Sequence, residues 1–336
     1  MSGLGLTFLR RGGQAHPTAG SDYIKFADDA VFNILMSKGV SSDGVGITKN
    51  DAARVTSVER WFTNNTTIET FDELQYFTGL TRLGADMASG ATKDGFSGCS
   101  NLRSICLPES LLYIGTFAFF KCEKLENIGI PRSIIQIGAG AFRSVAAPLV
   151  IDLPYLVALP RFSDLTLSYT FRSSGVSRVE NLGQVTTTYG LWQMDAVSRF
   201  GVFYECQDLT YADIRHIVNV GDCMFGRCYA LKEVIMEDAV NIGQGAFISC
   251  KVLEVLRFPP SVTSIGAYAI AYCDALHSII VEATTPPTIY EMTIDTASLP
   301  KLSYIYVPDA SVDAYKSAAY WNKFASKIKP LSEYNG

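Results

Sequence analysis

Residues 95–142 read GFSGCSNLRSICLPESLLYIGTFAFFKCEKLENIGIPRSIIQIGAGAF, and one ordered set of residue types occurs in this stretch twice. Phe96, Cys99, Leu102, Ile105, Leu107, Pro108, Leu111, Ile114 and Gly115 define a unit FxxCxxLxxIxIPxxVxxIGxxA. The same step appears elsewhere. Cys99 and Cys122 are 23 residues apart, and Cys206, Cys228, Cys250 and Cys273 follow one another at 22, 22 and 23. Phe96, Phe119 and Phe142 keep it, as do Pro108, Pro131 and Pro154, then Phe203, Phe225, Phe247 and Ile270 with Gly221, Gly243 and Gly266. A period shared by so many residue types belongs to the chain and marks a repeat architecture, because a disulfide framework has no reason to be so regular.

Within the unit, alternation of Ile105 with Leu107 and of Leu256 with Phe258 is strand periodicity, and the following Pro closes a strand that cannot continue its ladder. Each coil therefore supplies one short strand to a parallel sheet. The Gly after VxxI and the Ala before Phe are read as letting the backbone turn sharply, returning Phe and Cys beneath the strand. One coil cannot bury its apolar edge alone, so coils stack at about the 4.8 Å strand spacing, placing Phe on Phe and Cys on Cys.

The segments 95–142 and GRCYALKEVIMEDAVNIGQGAFISCKVLEVLRFPPSVTSIGAYAI at 226–270 resemble BspA-like leucine-rich repeats, common in Bacteroides and related gut or oral bacteria. The resemblance covers roughly residues 55 to 308, strongest over 96–154 and 203–281. It implies a right-handed solenoid of the α/β repeat class with helical caps, adhesin-type or protein-binding roles at the cell surface, and no catalytic residues. In the middle the pattern lapses: Val145 takes the Cys position, Pro148 takes the Leu position, and between Pro160 and Val220 only loose echoes remain at Val179 and Phe200. Coils of about 20 residues continuing there, or a bulge or inserted loop, both fit.

A solenoid needs its open ends covered. Residues 1–22, rich in Gly, Ala, Pro and Ser, read as a mobile arm. Residues 23–55 read as a helical N-terminal cap, with an amphipathic helix over Asp28 to Ser37 and a second started by the Thr48–Asp51 capping box. The Gly-rich loop between them, Gly39 to Ile47, resembles a calcium loop. Only Asp43 and Asp51 are acidic, too few oxygen donors, so calcium is not expected. The solenoid itself is expected over 56–308 and a closing C-terminal helical cap over 309–336, with Tyr315 and Trp321 sealing the core.

Composition narrows function. The chain has 336 residues, a net charge of −5 and 18% charged residues with no Lys/Arg run, which argues against nucleic acid. No apolar run is long enough to cross a bilayer. The segment MSGLGLTFLRRGGQAHP puts its arginines after the apolar run, unlike a secretory leader; if Met1 is the native start, export by a cleaved leader is disfavoured. Compartment thus stays open between the cell surface implied by resemblance and a virion.

Catalytic signals are sparse: His16, His216 and His277 are scattered, and no GxSxG, HExxH, CxxC or Walker loop occurs. No cofactor and no metal are expected. Six of the eight cysteines hold one register, where buried thiols act as small hydrophobes. Cys106 and Cys223 fall outside that register, and Cys106, pointing outward between Ile105 and Leu107, is the thiol to which reactivity would fall if any of the eight has it. The sheet face becomes the candidate site. Its outward positions are Cys106, Gly129, Asp152, Asp213, Ile235, Arg257, Ile280 and Tyr306, with Tyr211 and Tyr304 beside them. Tyr211, Ile235, Arg257, Ile280, Tyr304 and Tyr306 carry the chemistry that interface cores favour. The expectation is a non-enzymatic module recognising a protein or glycan. The alternative is a structural or receptor-binding component of a phage virion or tail. An outer acid–base cluster like that of parallel β-helix lyases is absent, since Asp152 and Arg257 lie several coils apart.

Overall fold

A computed structural model describes residues 22–84, 95–156, 169–182 and 201–336. Two rows of short parallel strands run along a stack of coils. The first row begins with Thr70–Phe71, Ser104–Cys106 and Asn127–Gly129. It continues through Leu149–Asp152, Val176–Asn181, Tyr211–Asp213 and Glu233–Ile235. Val255–Phe258, Ser278–Val281, Tyr304–Val307 and Ile328–Pro330 complete it. The second row, formed by the VxxI segments, consists of Arg82–Leu83, Tyr113–Ile114 and Gln136–Ile137, then Asn219–Val220, Asn241–Ile242 and Ser264–Ile265. Partners are successive coils, the register a solenoid requires.

The core is a column of phenylalanines. Phe62, Phe96, Phe119, Phe142, Phe171, Phe203, Phe225 and Phe247 stack with centroids 5.0 to 5.7 Å apart and planes within 18°. Ile270 takes the next position and is 1% exposed. Every ring in the column is fully buried. Offset stacking adds about 0.5–1.5 kcal/mol per pair to the burial of each ring.

The thiols do more than fill space. Cys122 Sγ donates to Phe96 O at 3.2 Å, Cys228 to Phe203 O at 3.1 Å, Cys250 to Phe225 O at 3.3 Å and Cys273 to Phe247 O at 3.2 Å. Cys99 and Cys206 bond Phe62 O and Phe171 O in the same way, at 3.0 Å each. Each thiol thus ties its coil to the carbonyl of the preceding rung, a bond no small hydrophobe could make. Among the described residues all eight cysteines are free.

The turns work differently from the sequence expectation. The left-handed conformation sits two residues after each rung, at Asn64, Lys121, Ser144, Ser173, Glu205, Arg227, Ser249 and Tyr272, with φ between 53° and 63°. Only the equivalent Gly98 is the residue that conformation favours. What holds the others there is the amide: Ser144 N donates to Arg172 O at 3.0 Å, Glu205 N to Gly226 O at 2.9 Å and Arg227 N to Ile248 O at 2.7 Å, each across to the next coil. The VxxIG glycines serve close approach. A Cβ on Gly138 would meet Thr116 N at 2.4 Å, and one on Gly243 would meet Asp222 N at 2.5 Å.

The stack continues through the irregular middle, with longer coils than expected. Phe171 is the missed rung, 29 residues after Phe142 and 32 before Phe203. Strand Val176–Asn181 carries Val179, the echo seen in the sequence, whereas Phe200 lies outside the described residues.

Helices are few and short. Helix α1 (Asp29–Ser37) is capped by Asp28 and buries Val31, Phe32 and Leu35. Helix α2 (Lys49–Ala53) opens on the Thr48–Asp51 capping box. Phe26 links this region to the column, 6.3 Å from Phe71, which itself lies 5.3 Å from Phe62. At the other end, helix α3 (Val312–Ser317) has only 6 residues, and the chain then adds the strand Ile328–Pro330 where continuous helix was expected. Tyr315 OH donates to Ala283 O at 2.7 Å and Trp321 Nε1 to Pro287 O at 2.8 Å, so both aromatics are buried with their polar atoms satisfied. The arm, residues 1–22, lies outside the described residues except for Asp22.

Candidate binding face

Strand pleating puts alternate side chains on the outer face of the first row, and register decides which of them meet. Arg257 pairs with Ile280, Ile280 with Tyr306 and Tyr306 with Lys329, one continuous row. Tyr304 pairs with Ser278 on the same strands. Tyr211 and Ile235 belong to the preceding sheet, where Tyr211 pairs with Glu233 and Asp213 with Ile235. Four of the six expected site residues therefore cluster, and two stand apart.

Accessibility separates them further. Tyr304 is 42% exposed and the Arg257 side chain 48% exposed. Ile280 is 0% exposed, flanked by Arg257 and Tyr306 in register, so a partner cannot touch it. Tyr306 is 8% exposed, with Tyr304 at 6.0 Å and Tyr334 edge-on at 5.0 Å. These two corrections share a cause: side chains one strand apart on a pleated face cover a smaller or central neighbour. Tyr334, in the terminal segment, carries no repeat signal that could have placed it here. Lys329 Nζ lies 5.8 Å from the centre of the Tyr304 ring, and Arg257 is ion-paired with Glu282. In the other group the Arg178 guanidinium sits 4.4 Å over Tyr211, leaving that ring half-buried like Ile235.

Asp213, also expected outward, is 9% exposed and gripped by Arg215 through Nε–Oδ1 at 3.0 Å and Nη2–Oδ2 at 2.6 Å. Burial pushes its carboxyl up, but the Arg215 bonds outweigh this and hold it below the usual carboxylate range. Cys106 is exposed as expected, yet burial of its sulfur, then the Asp72 and Glu73 carboxylates, push its thiol up. Asp72 Oδ1 lies 3.7 Å from Sγ. Thiolate formation is opposed, so the surroundings do not favour reactivity at this thiol.

The concavities on the described surface are shallow. One of about 320 Å³ is lined by Ser104, Cys106, Glu126, Asn127, Gly129 and Pro148, opening where Gly129 lacks a side chain. Another of about 250 Å³ lies at strand ends among Glu180, Asn181, Asp213, Arg215 and His216. His216 Nδ1 is 3.2 Å from Asp238 Oδ2, and His277 Nδ1 is 2.9 Å from Ser278 Oγ. Among the described residues no three His, Cys, Asp or Glu side chains converge as metal ligands. In the loop that resembles a calcium site, Asp43 Oδ1 accepts from Val45 N at 2.8 Å, Gly46 N at 3.2 Å and Ser41 Oγ at 3.0 Å, and Tyr23 donates to Oδ2. Asp51 is taken by Thr48 and Arg54. No described helix is long and apolar enough to cross a membrane.

The BspA type Leucine rich repeat region profile matches residues 91–158 and 199–324 in six copies, passing over the same middle segment where the period lapses. A leucine-rich repeat protein from Bacteroides ovatus is 21% identical over 75% of this chain and 58% of that one, with a TM-score of 0.51, so the fold is shared. The pneumococcal vaccine antigen PcpA is 21% identical over 70% of this chain and 55% of its own, with a TM-score of 0.40. The chain thus spans less than two thirds of the length of either structure. No curated protein matches it. With more than half of its residues matched by the profile, the chain belongs to the BspA-type leucine-rich-repeat family.

Proposed function

We propose that this solenoid is an adhesin-like, non-enzymatic module that recognises a protein or glycan through the outer face of its C-terminal sheet. Leucine-rich-repeat solenoids are typical of protein-binding and surface modules. The observation that carries the reading is the exposed Tyr304 ring beside Lys329, on the same face as the exposed Arg257, in a sheet whose inner side chains Leu256, Ile279, Ile305 and Ile328 are buried in the core. Large rigid and fork-shaped groups on a rigid backbone lose little entropy on binding. Right-handed winding and a capping role for the terminal helices belong to the same reading.

Immobilised glycans and extracellular matrix proteins, screened for binding, provide the test. Replacing Arg257 and Tyr304 together by Ala should weaken a captured ligand by more than about 2 kcal/mol, roughly thirtyfold, with the melting temperature unchanged. A ligand bound equally well by the double variant places recognition elsewhere.

A further inference from the structure

The turn that carries the phenylalanine rungs also carries a ladder of a different kind on its outside. Lys121 Nζ lies 5.5 Å from the centre of the Phe120 ring, and the Arg143 guanidinium lies 5.5 Å from Phe120 and 5.3 Å from Tyr169. Arg172 lies 5.2 Å from Tyr169 and 5.5 Å from Tyr204, and Arg227 lies 5.6 Å from Tyr204. Cation and ring thus alternate from the coil of Phe119 to that of Phe225, across the irregular middle.

The charges do not balance. Arg172 and Arg227 share Glu205, at 3.2 and 3.1 Å. Among the described residues Lys121 and Arg143 have no carboxylate within ion-pair distance. Among the described residues the ion pairs set one carboxylate against these four cations, in a chain whose net charge is −5. Arg143 is also half-buried, and its burial and then the neighbouring Arg172 depress its basicity, the condition that a bound anion relieves.

We propose that this ladder is a second docking surface, which takes an acidic, extended peptide segment. Charge complementarity names the sign of the partner. The rings name its class: Tyr169 and Tyr204 are 6% and 5% exposed, covered by the guanidiniums, and Phe120 is flanked by Lys121, Arg143 and Phe117, so the cations and not the ring faces are what a partner meets. What the surface offers is forks and an ammonium, which bind carboxylates. They are set on coils whose rungs repeat at 5.2 to 5.6 Å. Alternate side chains of an extended peptide lie about 6.6 Å apart, a repeat that flexible Arg and Lys side chains can match. This surface is distinct from the sheet face of Tyr304 and Arg257, and neither reading depends on the other.

The experiment titrates the full chain against a labelled octaglutamate peptide, with an alternating Gly-Ser octapeptide as uncharged control, at low and high salt. Octaglutamate should bind, weaken about tenfold or more between about 50 and 300 mM NaCl, and lose about tenfold in affinity on Lys121→Gln with Arg143→Gln. Arg257→Ala with Tyr304→Ala should leave this binding unchanged. Should Arg143→Gln not fold, Lys121→Gln with Arg227→Gln, both on exposed residues, is expected to show the same loss. Absence of binding at millimolar peptide, equal binding by the charge-deleted variant, or binding of a sulfated glycan in place of octaglutamate would overturn the proposal.

Discussion

Two stretches of the stack differ in coil length and in the chemistry at the thiol position, yet share one column of rings. From Phe203 to Ile270 the rungs follow at 22, 22 and 23 residues, and each coil carries a thiol bonded to the rung before it. From Phe142 to Phe203 the steps are 29 and 32 residues and the thiol position holds Val145 and then Ser174, whose hydroxyl bonds its own coil at Phe171 O. The strands Leu149–Asp152 and Val176–Asn181 also slip register at two points. Yet Phe142, Phe171 and Phe203 stack at 5.3 and 5.4 Å with planes within 7°, against 5.6 Å for the two steps from Phe203 to Phe247. A solenoid constrains the places where coils touch. Between them, extra length costs little, about 0.6 kcal/mol for each doubling of a loop.

The largest difference between the two stretches should appear in alkali. Burial pushes Cys99, Cys206 and Cys273 up to about 12, and Cys122, Cys228 and Cys250 well above their ordinary value, whereas an unfolded chain releases these protons near 9. Below that pH both states hold the protons; above it the unfolded state holds fewer, so stability falls as pH rises toward the folded value. Between about pH 9 and 11 the loss is on the order of 2 to 3 kcal/mol per buried thiol. Melting curves of the wild type should drop steeply over that range, and Cys228→Val with Cys250→Val should drop less. Parallel curves would show that the thiols do not set the alkaline limit.

A smaller effect tests whether the irregular rung is a true rung. Phe171→Ala and Phe225→Ala should each cost about 3 to 5 kcal/mol, since both rings are fully buried in the same column. A cost below about 1 kcal/mol at Phe171 alone would make the middle a spacer instead of a core.

Smallest is the thiol bond itself. Cys228→Val should cost about 1 kcal/mol, and the reverse change Val145→Cys, supplying a donor for Phe119 O, should return less than that. Urea denaturation midpoints would measure both; equal stability of all three chains would reduce the thiols to packing.

The sequence displays what repeats and hides what does not. Rung, thiol and strand positions were legible because each coil meets the same neighbours, the first helix showed in its amphipathic pattern, and Thr48 announced the second by capping chemistry. Phe171 was not legible: without Cys and Pro at their usual offsets, one Phe among loop residues has no frame. The left-handed turn residues were hidden because an inter-coil hydrogen bond fixes them, so that Lys, Glu, Arg or Tyr stands where glycine would advertise the turn. On the candidate face, parity told which way Ile280 points but not that Arg257 and Tyr306 flank it. The cation–ring ladder escaped notice because its members occupy different offsets in successive coils.

Native-state hydrogen exchange tests most directly whether one continuous column unites these coils. The amides of Phe171 and Phe203 donate to Val202 O and Met224 O at 3.0 Å, and those of Phe225 and Phe247 to Ala246 O and Ala269 O at 2.8 Å. If the stack is continuous, all four should open with free energies within about 1 kcal/mol of one another, close to that of global unfolding. Exchange at Phe171 and Phe203 faster than at Phe225 and Phe247 by about a thousandfold, some 4 kcal/mol, would mean two separate stacks joined by a weak middle.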